Sequence, residues 1–293
     1  MLGCLIGQDE KEIIMAYKTL FSVVTDTALA DPVLDQAVAM AQAWDAHLEV
    51  LCMGLDRTQI GFYYAGGNAM ILQETITRAQ EEAREVEAYV SKKLAKTDIR
   101  WSVDSGVAQL ADMGRHVAQR ARFTDLAILP KPYGEKRGAE LESIVEAAMF
   151  DAGIPVLIVP QKKAMPTVIN RIVLGWNEGD EALAAARAAL PLLMQASSVR
   201  IVVIDPPTHS PSRSDPGGQL SQFLARHGVF CEIDVLSKTL PRVSDVLIRH
   251  ATDADADLIV MGAYGHSRFR EAILGGATRE MLEHATLPVL LAH

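Results

Sequence analysis

The 293-residue sequence is 49% hydrophobic, 22% charged and 5% aromatic, the balance of a globular chain rich in small aliphatic residues, and its length favours two domains with separate cores. A formal net charge of −9, with Lys and Arg scattered rather than massed, argues against nucleic acid or an anionic membrane surface as partner. No apolar run approaches the roughly 18 residues of a membrane span. Cys4, Cys52 and Cys231 are too far apart for a disulfide framework or a metal motif, which points to a reducing, cytoplasmic setting.

The chain opens on a stretch too short, and without the basic segment, for a signal peptide; residues 1–14 read as an appended tail before a start at Met15. Strands are expected at 19–25, 47–53, 99–104, 125–129 and 155–159, with helices between them. Asp31-Pro32 reads as a helix start, an Asp able to cap free amides followed by a Pro whose missing N–H costs nothing in a first turn. The stretch from Asp56 to Gln80, with Tyr63-Tyr64-Ala-Gly66-Gly67, is read as a loop leading into a longer second helix, whose charge run from Gln80 to Glu87 forms an exposed face with i,i+4 pairing. Gln161 to Thr167 has the polar, Pro-containing character of a linker, which sets a boundary near residue 165 and domains at 16–162 and 168–293. Beyond it, strands are expected at 171–176, 199–204, 229–235, 257–262 and 288–292, with Pro206 to Gly218 as a loop and Gly228 as a helix stop.

The two halves repeat one another. Asp125-Leu-Ala-Ile-Leu-Pro130 leads to Pro155-Val-Leu-Ile-Val159, and Asp257-Leu-Ile-Val-Met-Gly262 leads to Pro288-Val-Leu-Leu291, with Asp-to-Pro spacings of 30 and 31 residues. Short apolar runs alternating with amphipathic stretches are the pattern of βαβ units around a parallel sheet covered on both faces.

In such a sheet ligands bind beyond the carboxyl ends of the strands, where strand order reverses. If the first strand lies beside the fourth, the crevice of the second half is flanked by Asn177 and Gly262. Gly262 and Gly265 permit close backbone approach, and Gly275-Gly276 opens a helix whose free amides and dipole suit an anion, with Thr278 adding a hydroxyl and Arg268 and Arg270 adding charge. Any one of these glycines read alone is more often just a turn. Their joint spacing behind a buried strand favours the phosphate reading.

Asp257-Leu-Ile-Val-Met-Gly262, two residues, Gly265, nine residues, Gly275, then a helix and Pro288-Val-Leu-Leu291, resembles the signature of the universal stress protein family. The resemblance covers nearly the whole chain as two tandem copies. It implies an α/β fold of two Rossmann-like domains, similar to adenine nucleotide alpha hydrolases, each a five-stranded parallel sheet of order 3-2-1-4-5 covered by helices. It implies a C-terminal domain that binds ATP, or AMP or ADP, with magnesium as an optional companion. Asn177, Val203, Gly262, Gly265, His266, Gly275, Gly276 and Thr278 are then the binding residues, Val203 through its backbone to adenine. Two departures stand out: Gly276 replaces a hydroxyl residue, and Asn177 stands where the family places an Asp.

The first copy departs further, with Pro130 opposite Gly262 and Glu142-Ser143 opposite Gly275-Gly276, so it is not expected to bind ATP in this way. His266, His284 and His293 have no metal-ligand spacing, and Asp253, Asp255 and Asp257 read as a solvated turn, with Asp257 capping or bracing the fourth strand. No nucleophile elbow, Walker loop or Cys-His pair is present. The expected role is that of a stress-response sensor or regulator without a catalytic centre. The alternatives are a slow ATPase or adenylating enzyme of the same fold, and a dimerisation or partner-docking protein that binds no nucleotide. The resemblance also implies pairing of the fifth strands, within one chain as a pseudo-dimer or between chains as a homodimer, and an unidentified protein partner.

Overall fold

The computed structural model describes residues 16–57, 68–134, 137–161, 168–206, 214–263 and 276–293. The opening tail, the Tyr63-Tyr64 loop, most of the linker, Pro207 to Arg213 and Tyr264 to Gly275 lie outside the described residues.

In the first half the order is β1 (Thr19–Val24), α1 (Thr27–Trp44), β2 (His47–Asp56), α2 (Asn68–Leu94), β3 (Arg100–Gln109), α3 (Leu110–Ala121), β4 (Leu126–Pro130), α4 (Ala139–Glu146), a π-helical turn (Ala147–Asp151) and β5 (Val156–Val159). The second half follows as β6 (Arg171–Trp176), α5 (Asp180–Ala188), α6 (Leu190–Gln195), β7 (Ser198–Ile204), α7 (Gly218–Arg226), β8 (Cys231–Leu236), α8 (Val243–Asp253), β9 (Leu258–Gly262), α9 (Gly276–His284) and β10 (Val289–Ala292). The expected strands fall within a few residues of these positions.

The ten strands form one sheet, ordered β3-β2-β1-β4-β5-β10-β9-β6-β7-β8, so each half has the order 3-2-1-4-5. Pairing is parallel within each half and antiparallel where β5 meets β10, at Val289↔Ile158, Leu290↔Leu157 and Leu291↔Val156. Both halves therefore share a continuous sheet, and each loses one edge to the other.

Side chains of successive strand residues point to opposite faces, and the core divides accordingly. Leu20, Leu48, Leu126, Leu157, Leu174 and Leu290 pack on one face with α1, α2 and α5–α7. Phe21, Leu51, Leu129, Ile158, Val173 and Leu291 pack on the other with α3, α4, α8 and α9. Central strands buried on both faces read as unbroken apolar runs: every residue of β4, β5 and β10 is buried, whereas the edge strand β3 is largely accessible.

Asp257 has the bracing role, but on the strand beside its own. Its Oδ2 accepts the amides of Asn170 and Arg171 at 3.0 and 2.9 Å, fixing the start of β6. Asp125 does the same for β1, accepting the amides of Lys18 and Thr19 at 2.7 and 2.9 Å.

One helix start differs from the sequence reading. Asp26, not Asp31, caps α1, its Oδ1 accepting the Ala28 amide at 2.8 Å, and Pro32 lies inside the helix. The cap wins because it sits directly at the end of β1, where a short connection suffices. The Gly228 stop stands, with φ of +77° just past α7. The long second helix is α2, and Gly54 lets it lie almost on β2, since a Cβ there would collide with the Ala79 carbonyl.

Candidate functional site

In the second half β6 lies beside β9, with Leu174 opposite Val260, so the strand order reverses between Asn177 and Gly262. Asn177 follows β6 directly, and its Oδ1 accepts the Gly179 amide at 3.0 Å, closing a turn in which Glu178 has φ of +63°. Its side-chain oxygen is thus committed to starting α5. The reversal brings α5 against the end of β9. A Cβ on Gly262 would lie 2.5 Å from the Ala182 amide nitrogen and 2.6 Å from the Glu181 carbonyl carbon, so packing alone demands glycine there.

Val203 is buried at 4% exposure, between Trp176 of β6 and Val235 of β8. Gly276 opens α9 and is exposed, and a Cβ there meets no described atom within 4 Å. Unlike Gly262, it has no packing reason among the described residues to lack a side chain. Thr278 is buried on α9. Gly265, His266 and Gly275 lie outside the described residues. The structure therefore brings Asn177, Gly262 and Val203 to the carboxyl end of the second half's strands.

The other histidines have local partners. His284 Nδ1 pairs with the Glu280 carbonyl at 2.8 Å, and His293 Nδ1 with the Ala263 carbonyl at 3.0 Å. Among the described residues no cluster of three His, Cys, Asp or Glu side chains is arranged to hold a metal. Asp253 and Asp255 pair with Arg249 and Arg171 at 3.7 Å each, as a solvated turn requires.

The corresponding crevice of the first half, between β1 and β4, has different walls. Val24, Leu29, Val33, Pro130 and Leu141 line it, and its empty space is about 210 Å³ including the open mouth. Pro130 offers no amide there. Glu142 on α4 accepts the Tyr133 hydroxyl at 2.8 Å.

Sequence reasoning passed over the segment after β4, where Lys131, Tyr133 and Arg137 do most of the work. Lys131 Nζ donates to the carbonyls of Glu283 and Ala285 at 2.7 and 3.1 Å, so the first half caps the carboxyl end of α9. Burial pushes its ammonium pKa down. The Arg279 guanidinium lies 5.2 Å from the centre of the Tyr133 ring, a second contact onto α9. Arg137 Nη2 donates to Gln161 Oε1 at 3.0 Å. The basic stretch Lys131-Pro-Tyr-Gly-Glu-Lys-Arg137 was the available signal.

Residues 169–293 match the universal stress protein family. The chain is 28% identical over 158 residues to Universal stress protein Slr1230 of Synechocystis, covering 52% of this chain and 50% of that protein, so it spans about half the length of that relative. A universal stress protein from Archaeoglobus fulgidus superposes with a TM-score of 0.69 at 14% identity, over 94% of this chain and 97% of that one. A functionally unknown protein from Pseudomonas aeruginosa superposes with a TM-score of 0.58 at 17% identity, over 94% and 92%. At these identities the two structures speak for the shared two-half architecture alone. The similarity to universal stress proteins is thus carried by a family match to the C-terminal half of the chain.

Proposed function

We propose that this protein is a tandem universal stress protein with domains at 16–162 and 168–293, whose C-terminal domain binds an adenine nucleotide, ATP first, as a sensor or regulator in a stress response. The observation that carries the reading is the opening of α9: Gly276 is exposed, its Cβ position is empty, and it follows the glycine spacing that begins at Gly262. A bare helix start of this kind suits a phosphate, which its amides and dipole attract. In this reading Gly265, His266, Gly275, Gly276 and Thr278 hold the phosphates, and Asn177 and Val203 border the nucleoside. Gly262 keeps the first turn of α5 close to that border. Magnesium arrives with the phosphates, because Asn177 is uncharged and its oxygen already accepts the Gly179 amide.

Denaturing the purified chain and analysing the supernatant by mass spectrometry is expected to release an adenine nucleotide in stoichiometric amount. Titration with ATP is expected to show an at least tenfold loss of affinity for Gly275→Glu, about 1.4 kcal/mol, because a carboxylate replaces space beside the phosphates. Equal affinity in the two proteins overturns the site.

A further inference from the structure

Two strands of the ten-stranded sheet have an edge with no neighbouring strand among the described residues, β3 at one end and β8 at the other. Pairing of β5 with β10 already joins the two halves within one chain, so a contact between chains through the sheet has only these two edges left. An unpaired edge presents a row of backbone N–H and C=O groups that another strand can satisfy. The β3 edge is ten residues long and the β8 edge six.

Two identical strands related by a two-fold axis pair antiparallel, with residue i opposite residue j and j opposite i. Opposite residues share a face with Cβ atoms about 4.5–5.5 Å apart, so unlike charges stabilise the pair and like charges oppose it. In β3, Arg100, Ser102 and Asp104 are exposed on the face where Asp104 meets Arg120 of α3, and Trp101 and Val103 are half-buried on the other. The register centred on Ser102 sets Arg100 opposite Asp104 twice and Trp101 opposite Val103 twice. Its neighbours do not: centring on Trp101 sets Asp104 against Asp98, centring on Val103 sets both charges against neutral residues, and centring on Asp104 sets that carboxylate against its own copy. Arg100 reaches Asp45 through Nη2 at 2.9 Å but its side chain is 62% exposed, and Asp104 is 51% exposed beside Arg120, so both can take a further partner across the edge.

We propose that the β3 edge is a surface for self-association, two copies of the chain pairing antiparallel about Ser102, with two Arg100–Asp104 pairs on one face and two Trp101–Val103 contacts on the other. Charges on an edge strand guard it against indiscriminate pairing, and here their opposite signs, four residues apart, admit one partner in one register. The β8 edge is closed to the same arrangement, because registers centred on Glu232, Ile233 or Asp234 each set an acid against an acid. Assembly through β3 therefore stops at two copies rather than extending into a fibre. A contact of so few residues a side is small, which makes the dimer reversible. It does not depend on the nucleotide reading of the second half.

Sedimentation velocity of the full chain over a concentration series is the test. Wild type is expected to pass from monomer to dimer with a Kd in the micromolar range. Arg100→Asp, which sets an acid against Asp104, and Asp104→Arg, which sets a base against Arg100, are each expected to weaken association at least about tenfold. The double variant, and an equal mixture of the two single variants, are expected to restore it, because opposite charges again face each other across the axis. Mixing cannot repair the pairs with Asp45 and Arg120 that each variant loses within its own chain, so restoration separates the interface from a loss of fold. Wild type that stays monomeric, single variants that associate as wild type does, or a mixture that stays monomeric overturns the proposal. So does loss of association in Glu232→Arg, which moves the contact to β8. If the single variants do not fold, Ser102→Cys in a Cys231→Ser background decides: oxidation is expected to give a covalent dimer on a non-reducing gel, in far higher yield than Gln109→Cys in the same background, and equal yields overturn the proposal.

Discussion

The two halves of the sheet share their framework and differ at its carboxyl end. Asp125 clamps the amides that open β1, and Asp257 clamps those that open β6. On the third strand of each half, Asp104 meets Arg120 of α3 through Nε at 2.8 Å, and Asp234 meets His250 of α8 at 2.9 Å. At the end of the fourth strand the likeness stops. Gly262 admits the first turn of α5, whereas Pro130 closes an apolar cleft beneath α1 and α4. Residues that set strand order were kept in both copies, and residues that face the crevice were not. Freed from one crevice, the loop after β4 instead reaches across to α9, so the first half now supports the second.

The largest effect expected from breaking this comparison is at Gly262. Gly262→Ala puts a methyl group 2.5 Å from a backbone nitrogen that no rotamer can move, and overpacking of this kind costs about 1–3 kcal/mol. Urea denaturation of the full chain measures it, and a midpoint within error of wild type shows that α5 can retreat at no cost. Next come the clamps. Asp125→Ala loses two amide partners and the Thr19 hydroxyl, which donates to Oδ2 at 2.9 Å, while Asp257→Ala loses two amides. Both aspartates are accessible at their surface, which discounts each loss; about 1–2 kcal/mol is expected, with Asp125→Ala the more damaging. The reverse order breaks the parallel between the halves.

How much of this was legible from the sequence depended on how local its cause is. Buried parallel strands are continuous apolar runs, so β4, β5, β9 and β10 stood out directly, and the repeat of Asp and Pro spacings exposed the doubling. The start of α1 was misread because two Asp residues each suit a cap, and only the position of β1 chooses Asp26. At the crevice, the nearness of Asn177 to Gly262 followed from strand order, but the packing reason for Gly262 did not, because Ala182 reaches it only through the tertiary fold. Lys131, Tyr133 and Arg137 were passed over for the same reason: each acts on a residue distant in sequence.

Lys131 sharpens the comparison through pH. Its ammonium is pushed below the ordinary lysine range by burial, so the unfolded chain holds this proton more tightly than the folded one. Stability therefore rises as pH climbs from the depressed value toward the ordinary value of about 10.4, since the neutral amine is the form the fold prefers. A neutral amine still has two protons for the two α9 carbonyls, so the cap survives the change. Lys131→Met is expected to lose about 1 kcal/mol at neutral pH, and the gap from wild type to widen in mildly alkaline buffer, read from thermal melts across that range. A gap that narrows there shows that the charge, rather than the two hydrogen bonds, holds α9.

The smallest effect belongs to an ion-pair pin that has no counterpart among the described residues of the second half, where Arg187 of α5 lies 5.9 Å from the centre of the Phe223 ring of α7 instead. The long helix α2 is pinned to α1 by Lys93, which lies 2.7 Å from both Asp31 and Asp35, and by Tyr89, whose hydroxyl donates to Asp31 at 2.6 Å. Lys93 and then Tyr89 hold the Asp31 carboxyl below its usual range, so its stabilising contribution is present above the ordinary carboxylate pKa and is lost as pH falls through the depressed value. The carboxylates are more than half exposed, at 57% and 68%, so solvent screens the pairs and Lys93→Met is expected to cost only a few tenths of a kcal/mol to about 1 kcal/mol. Hydrogen exchange is the sensitive measurement, because the loss is local. Amides of α2 are expected to exchange faster in Lys93→Met while those of α7, the helix of corresponding position in the second half, stay unchanged. Acceleration in both helices means that the pin stabilises the whole sheet, and the two halves then unfold as one unit through β5 and β10 rather than by separate local openings.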